Sequence, residues 1–264
     1  MCAHHLLVSE RRESRAVLEE PPARDCVVVR YGDGPLAVAE LRLPGGEGPH
    51  PLLVVVHGGY WRTTYDRAHV APLCRTVTAG GIATLNVEYR RVGHEGGGWP
   101  GSFHDVARAL EHVPDLARAY PLDLGRVALF GHSAGGHLAL LAATLIPLRG
   151  VIAAAAVSDL EAAWARNAGD GAVEAFVGGT PAELLEHYRE ASPIRRLPLG
   201  LPQVLVHGTH DETVPYEDSV AYAAAAGAET RLVTLEGAGH FEPIDPLARE
   251  WPLVEAEIRA LLLA

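Results

Sequence analysis

The chain has no lysine: all 22 of its cationic side chains are arginine. Chemistry that needs a lysine amine, a Schiff base above all, is excluded. Cysteine is scarce, at 3 residues in 264, and Cys2, Cys26 and Cys74 lie far apart. They make neither a disulfide framework nor a zinc-ligand pattern. Cys26 and Cys74 sit in apolar runs and read as small buried hydrophobes, which suits a reducing cytoplasm. Positive charge is also in deficit: a net charge of −11 opposes nucleic acid or an anionic membrane as partner. No apolar run approaches the roughly 20 residues that span a bilayer, and the longest, Val151 to Val157, has strand length. The N-terminus lacks a basic stretch ahead of an apolar one, so no secretory leader is expected. No two histidines are spaced with a carboxylate in the manner of H-E-x-x-H, so no metal site is expected.

What is present is an ordinary globular composition, 48% hydrophobic and 21% charged, long enough for one large α/β domain. Residues 1–24 are charged and read as an arm or short helix outside the core, and 25–264 as a single domain. Cys26 to Arg30 and Leu36 to Leu43 flank Tyr31-Gly-Asp-Gly34, a hairpin signal. Leu52 to Val56 is a continuous apolar run, expected of a strand covered on both faces. Strands are then expected at Ile82 to Val87, Arg126 to Phe130, Val151 to Val157, Val204 to His207 and Arg231 to Leu235. Helical patterns lie over Asp66 to Ala79, Phe103 to Tyr120, Ala134 to Leu145, Glu217 to Ala226 and Pro246 to Leu263. This predicts eight strands: an antiparallel hairpin, then a mostly parallel sheet with helices on both faces. Residues 159–200 offer room for a small lid-like insertion.

The chemistry is concentrated in Gly131-His-Ser-Ala-Gly135. An apolar strand precedes it and a small-residue helix follows, so the G-x-S-x-G pattern reads as a nucleophile elbow with Ser133 exposed at a sharp turn. A serine hydroxyl needs a base, and the base an orienting carboxylate. Both belong in loops at the carboxyl ends of later strands. Val204-Leu-Val-His-Gly-Thr-His-Asp211 supplies an acid and Leu232 to His240 a histidine, in the order Ser, Asp, His. Among fourteen histidines, His240 is distinguished by the Gly237 and Gly239 turn that can present it. His207 reads as strand-end, His132 and His210 as loop neighbours, and His137 as helix packing. Asp159 follows an earlier strand and competes with Asp211; its bland reading is a helix N-cap. Glu212 is adjacent to Asp211 but points elsewhere. An oxyanion needs two backbone donors: Ala134 N–H offers one, and Gly58 or Gly59 of His57-Gly-Gly-Tyr-Trp61 the second, with Tyr60 as another option. Tyr60, Trp61 and Phe241 are candidates for the substrate pocket, and Trp99 and Phe176 weaker ones. Arg90 and Arg91 suit either an anionic substrate or a pairing with acids such as Asp105.

These segments, with Val87-Glu-Tyr-Arg90, Ser192-Pro-Ile194 and Gly237-Ala-Gly-His-Phe241, resemble the α/β-hydrolase superfamily over nearly the whole chain. Within it the chain is similar to the esterase and lipase branch that carries an HGG motif. His-Gly-Gly-Tyr-Trp in place of a third glycine is similar to kynurenine formamidases (arylformamidases) and to carboxylesterases that share the loop. The resemblance implies a Ser133, Asp211 and His240 triad, an oxyanion hole of Gly58, Gly59 and Ala134, and no metal or organic cofactor. It implies a small-molecule ester or amide substrate, and the missing long N-terminal cap disfavours large lipids. In this superfamily the last strand and closing helix often form dimer edges, so a homodimer is an open expectation. Other readings on the same scaffold are a dipeptidyl-type peptidase, an acyltransferase and a non-catalytic binding protein.

Overall fold

Two apolar clusters lie on opposite faces of one sheet, and most of the elements serve to cover them. A computed structural model describes residues 15–19 and 25–264; the rest of the expected arm lies outside the described residues. The sheet has eight strands: β1 (Val27–Arg30), β2 (Val38–Arg42), β3 (His50–Val56), β4 (Ala83–Val87), β5 (Leu122–His132), β6 (Val151–Ala154), β7 (Gln203–Gly208) and β8 (Thr230–Leu235). Their spatial order is β1-β2-β4-β3-β5-β6-β7-β8. β1 and β2 form the expected antiparallel hairpin, β2 runs antiparallel to β4, and every later pairing is parallel.

Strand periodicity decides which side chain faces which layer. Leu52, Val54 and Val56 of β3 join one cluster, with Leu129 of β5 and Leu205 of β7. Leu53 and Val55 join the other, with Phe130, Ile152 and Val206. A strand buried on both faces has no polar side, which is why β3 is a continuous apolar run.

Helices α2 (Gly101–Glu111), α3 (Val113–Ala119) and α4 (Ala134–Ala142) contribute to the first cluster; α1 (Ala71–Ala79) and α9 (Trp251–Leu263) cover the second. Four expected helices change extent, the first being Asp66 to Ala79, which splits into a 3-10 turn at Arg67–Val70 and α1. The Phe103 to Tyr120 pattern is two helices, because Pro114 lacks an amide hydrogen and takes an early position in a new one. The elbow helix stops at Ala142, short of Leu145. The closing helix begins at Trp251; Glu242–Ile244 ahead of it is a 3-10 turn. The segment expected outside the core is corrected in one place: Ala16–Glu19 forms a 3-10 turn whose Val17 is buried in the second cluster.

Residues 159–200 carry α5 (Leu160–Ala165), α6 (Ala172–Val177) and α7 (Pro181–Ala191). Between β7 and β8 lies α8 (Tyr216–Ala226). The carboxyl ends of β3, β5, β7 and β8 converge on one rim, and their loops bear the residues singled out above.

Candidate active site

Ser133 sits between β5 and α4 with φ 55° and ψ −122°. That is left-handed backbone for a residue with a Cβ, at a cost of about 1–3 kcal/mol. The surroundings enforce it: the Ser133 N–H is tied to the Ala154 carbonyl of β6 at 2.8 Å. Gly135 meets the underside of β3 so closely that a Cβ would collide with the Val56 and His57 carbonyl oxygens. The turn can close only with glycine there. Ala134 opens α4, so its N–H has no carbonyl one helical turn back and lies at the positive end of the helix dipole.

The acid and the histidine meet as the chain order requires. His240 Nδ1 donates to Asp211 Oδ2 at 2.7 Å, and the Asp211 side chain is fully buried. Its other oxygen, Oδ1, accepts from the Thr213 and Val214 amides at 2.8 and 2.9 Å. A further donor comes from His207, whose Nε2 reaches Asp211 Oδ2 at 3.1 Å and the Val214 carbonyl at 3.0 Å. Both neighbours are acceptors, so Nε2 carries the hydrogen. Burial opposes ionisation of Asp211, but hydrogen bonds from His207 and His240 outweigh it and hold the carboxyl well below the usual range. Asp159 does something else: it caps α5, accepting from Ala162 N–H at 3.1 Å.

Ser133 and His240 line one cavity of roughly 230 Å³ with Gly59, Tyr60, Tyr65, His69, His132, Thr213 and Phe241, and with Arg15 and Glu212 also on its wall. Gly59 has φ +111°, and a Cβ on it would sit 2.8 Å from that of Tyr65. Gly58 packs behind, where a Cβ would lie 3.0 Å from that of Ser133. Tyr60 and Phe241 are on the wall as expected. Trp61 is not: it is fully buried, stacked on Phe176 at 4.4 Å and edge-on to His137 at 5.0 Å. Tyr60 and Trp61 both have positive φ, and this turns consecutive side chains apart, one to the cavity and one to the core. Trp99 and Phe176 likewise belong to that core packing.

None of residues 159–200 lines the cavity. They buttress the loop after β3 instead: Gly169 lies against the Tyr60 ring, and the Asp170 carbonyl accepts from Arg62 at 2.7 Å. Tyr60 also spans the site, donating from its hydroxyl to the Thr213 carbonyl at 3.0 Å.

A second histidine–carboxylate pair lies beneath the loop after β3. His57 Nε2 is 3.0 Å from Glu88 Oε1, and Nδ1 is 2.8 Å from the Gly58 carbonyl oxygen. Both ring nitrogens thus face acceptors, one a carboxylate and the other a carbonyl oxygen. Arg67 and Arg91 also bind Glu88, at 3.1 and 3.0 Å. Burial opposes its ionisation, yet the His57 hydrogen bond and the surrounding positive charge bring its carboxyl down to about 2. Arg91 is thus committed to Glu88, and Arg90 to Asp105 through two hydrogen bonds of 2.8 Å; neither lines the cavity.

Sequence reasoning missed Arg15, Tyr65, His69 and Thr213 on the cavity wall, and the part of His207. His132, read as a loop neighbour, donates from Nε2 to the His240 carbonyl at 2.9 Å. Burial and the adjacent His240 push its basicity far down. For His207 a signal existed, since an acid four residues beyond a strand-end histidine is close enough to bond it. For His69 there was none: its place on the wall depends on how the β3 loop meets the following 3-10 turn. Among the described residues, no cluster of three or more potential ligands could hold a metal, and no helix is long and apolar enough to cross a membrane.

The chain is 28% identical to Esterase LipC of Mycobacterium tuberculosis (strain ATCC 25618 / H37Rv), over 86% of this chain and 62% of that protein. It is 28% identical to a probable isoprenylcysteine alpha-carbonyl methylesterase ICME of Oryza sativa subsp. japonica, over 83% of this chain and 59% of the relative. The chain thus spans about three fifths of the length of both relatives. Among solved structures, a truncated carbohydrate esterase from gut microbiota superposes with a TM-score of 0.77 at 18% identity, covering 93% of this chain and 100% of that one. An inhibited esterase B from Lactobacillus rhamnosis also gives 0.77, at 20% identity, covering 94% and 91%. These likenesses show the α/β-hydrolase fold. The BD-FAE family model matches residues 41–225, more than half of the chain, and the protein belongs to that family.

Proposed function

We propose that the protein is a serine carboxylesterase that cleaves small esters through an acyl-enzyme, with aryl formamides as the alternative substrate class. The observation that carries this reading is the shared cavity. Ser133, held on a strained turn, and His240, bonded at 2.7 Å to a buried carboxylate, open onto the same small space. In this reading Ser133 Oγ attacks the carbonyl carbon while His240 Nε2 takes its proton. Asp211 holds the imidazole tautomer and stabilises its cation. The oxyanion is received by the Ala134 N–H and an N–H of the Gly58-Gly59-Tyr60 loop, where developing charge meets dipoles already in place. His240 then protonates the leaving alcohol, and a water activated by the same imidazole releases the acid.

The cavity volume favours small substrates, and Tyr60, Phe241 and Tyr65 give it a partly aromatic wall. The names of the related proteins are those of ester hydrolases, which puts esters ahead of formamides. The free Cys26 and Cys74 suit a reducing compartment, and a cytoplasmic location is part of this proposal.

The test is kcat/KM of wild type and Ser133→Ala on short p-nitrophenyl esters and on N-formylkynurenine. Ester turnover reduced by at least about 10³-fold in the variant, with an unchanged Tm, is expected. A formamide preference lost in the variant would replace the ester reading, and a variant as active as wild type would overturn the assignment of Ser133.

A further inference from the structure

His69 brings a hydrogen-bond acceptor to the catalytic cavity for which the reaction has no use. It lies on the 3-10 turn Arg67–Val70, whose start is capped by Asp66 accepting from Ala68 N–H at 2.8 Å. The His69 ring is turned back on the same turn: Nδ1 is 2.8 Å from the Asp66 carbonyl oxygen, and a carbonyl can only accept. Nδ1 therefore carries the hydrogen. Burial opposes a second proton on this ring, and the His57 ring, edge-on with its centroid 5.7 Å away, acts in the same direction; together they lower the His69 pKa to about 3. The neutral ring is thus a fixed Nδ1–H tautomer, and Nε2 is left with its lone pair.

Among the described residues nothing uses that lone pair. Nε2 has no hydrogen-bond partner among the described residues, and it is not one of the buried polar atoms shut away from solvent without one. The ring lines the cavity beside Tyr65, His132 and Ser133. The other groups around it are spoken for or differently placed: His132 donates to the His240 carbonyl, Tyr60 donates to Thr213, and the charged groups of the wall are Arg15 and Glu212.

Resting on the esterase reading above, we infer that His69 selects substrate: the preferred ester carries a hydroxyl or N–H donor close to the scissile bond, received by His69 Nε2. A site with an acceptor prepared for a donor discriminates against the analogue that lacks it, because binding the analogue strips water from the acceptor without replacing the bond. The donor can belong to the acyl or the alcohol half, and matched substrates separate the two.

The experiment is kcat/KM for two near-isosteric pairs: ethyl glycolate against ethyl propionate, and 2-hydroxyethyl acetate against propyl acetate. Each is measured with wild type, His69→Gln and His69→Phe. The readout is the ratio within a pair, which is insensitive to a general loss of activity. In one pair the wild type should favour the hydroxylated ester by about tenfold or more. The ratio should fall close to one in His69→Phe and stay above one in His69→Gln, whose amide oxygen still accepts. If His69→Phe fails to fold, the wild-type ratios and the Gln variant still decide. Ratios near one in both pairs for wild type, a ratio unchanged in His69→Phe, or a ratio lost in His69→Gln overturns the inference while leaving the esterase reading intact. A wild type that turns over none of the four esters, nor p-nitrophenyl acetate, overturns that reading and this inference with it.

Discussion

Two buried histidine–carboxylate pairs flank Ser133, and they are built for different work. Under the loop after β3, Glu88 faces His57 and two arginines, Arg67 and Arg91. Arg67 continues to Glu40, and Glu40 to Arg42, so the carboxylate is part of a chain of fixed charges. At the other side Asp211 has no arginine partner among the described residues: its four hydrogen bonds come from two backbone amides and two imidazoles. A carboxylate saturated by permanent cations cannot respond to a charge appearing on its histidine. One held by backbone amides and imidazoles, with no arginine, can. The first pair therefore holds a loop in shape, with His57 Nδ1 bonded to the Gly58 carbonyl. In the proposed mechanism the second would stabilise an imidazolium formed during turnover.

The comparison breaks most visibly at Asp211. Asp211→Asn should reduce kcat by about 10³–10⁴-fold, since an amide can no longer fix the imidazole tautomer or balance its charge, while Tm moves by only a few degrees. Asp159→Asn, measured beside it, should leave kcat within a few-fold, because Asp159 caps α5 and asparagine caps nearly as well. Comparable losses in both would mean that the acid has been misassigned.

Glu88→Gln should show the opposite split. Removing one partner of a buried ion pair leaves the arginines and His57 uncompensated, at a cost of about 3–5 kcal/mol. Urea unfolding should register this as a lower midpoint, with kcat of the folded protein falling less than in Asp211→Asn. The pH dependence carries the same signature. The Glu88 carboxyl lies near 2 in the fold against an ordinary value of 4.5, so its ionised form is favoured by folding. That contribution is complete above pH 4.5 and is lost as pH falls towards 2. Wild type should therefore destabilise across this window more steeply than Glu88→Gln; parallel slopes would show that Glu88 is not the group responsible.

Much of this was legible in the residues, for local reasons. The eight strands were readable because apolar runs of strand length alternate with helical patterns. Ser133, Asp211 and His240 were readable because each lies in a short glycine-containing segment at a strand's carboxyl end, where few residues separate the side chain from the sheet. Where reading failed, the deciding contact was non-local or the backbone unusual. Trp61 was expected beside Tyr60, but positive φ at both sends it into a stack with Phe176, more than a hundred residues away in sequence. Residues 159–200 read as room for a small lid-like insertion, but none of them lines the cavity, and Gly169 and Asp170 contact Tyr60 and Arg62 of the loop after β3. His69 carries no motif at all; its position follows from the packing of one 3-10 turn against the β3 loop.

The central claim is that Ser133 is a nucleophile activated by the arginine-free pair. Intact-mass and peptide analysis after treatment with a fluorophosphonate tests it most directly. The account predicts a single adduct on Ser133, formed rapidly by wild type and Glu88→Gln and much more slowly by His240→Ala. An adduct at another residue, or none on folded wild type, would contradict it.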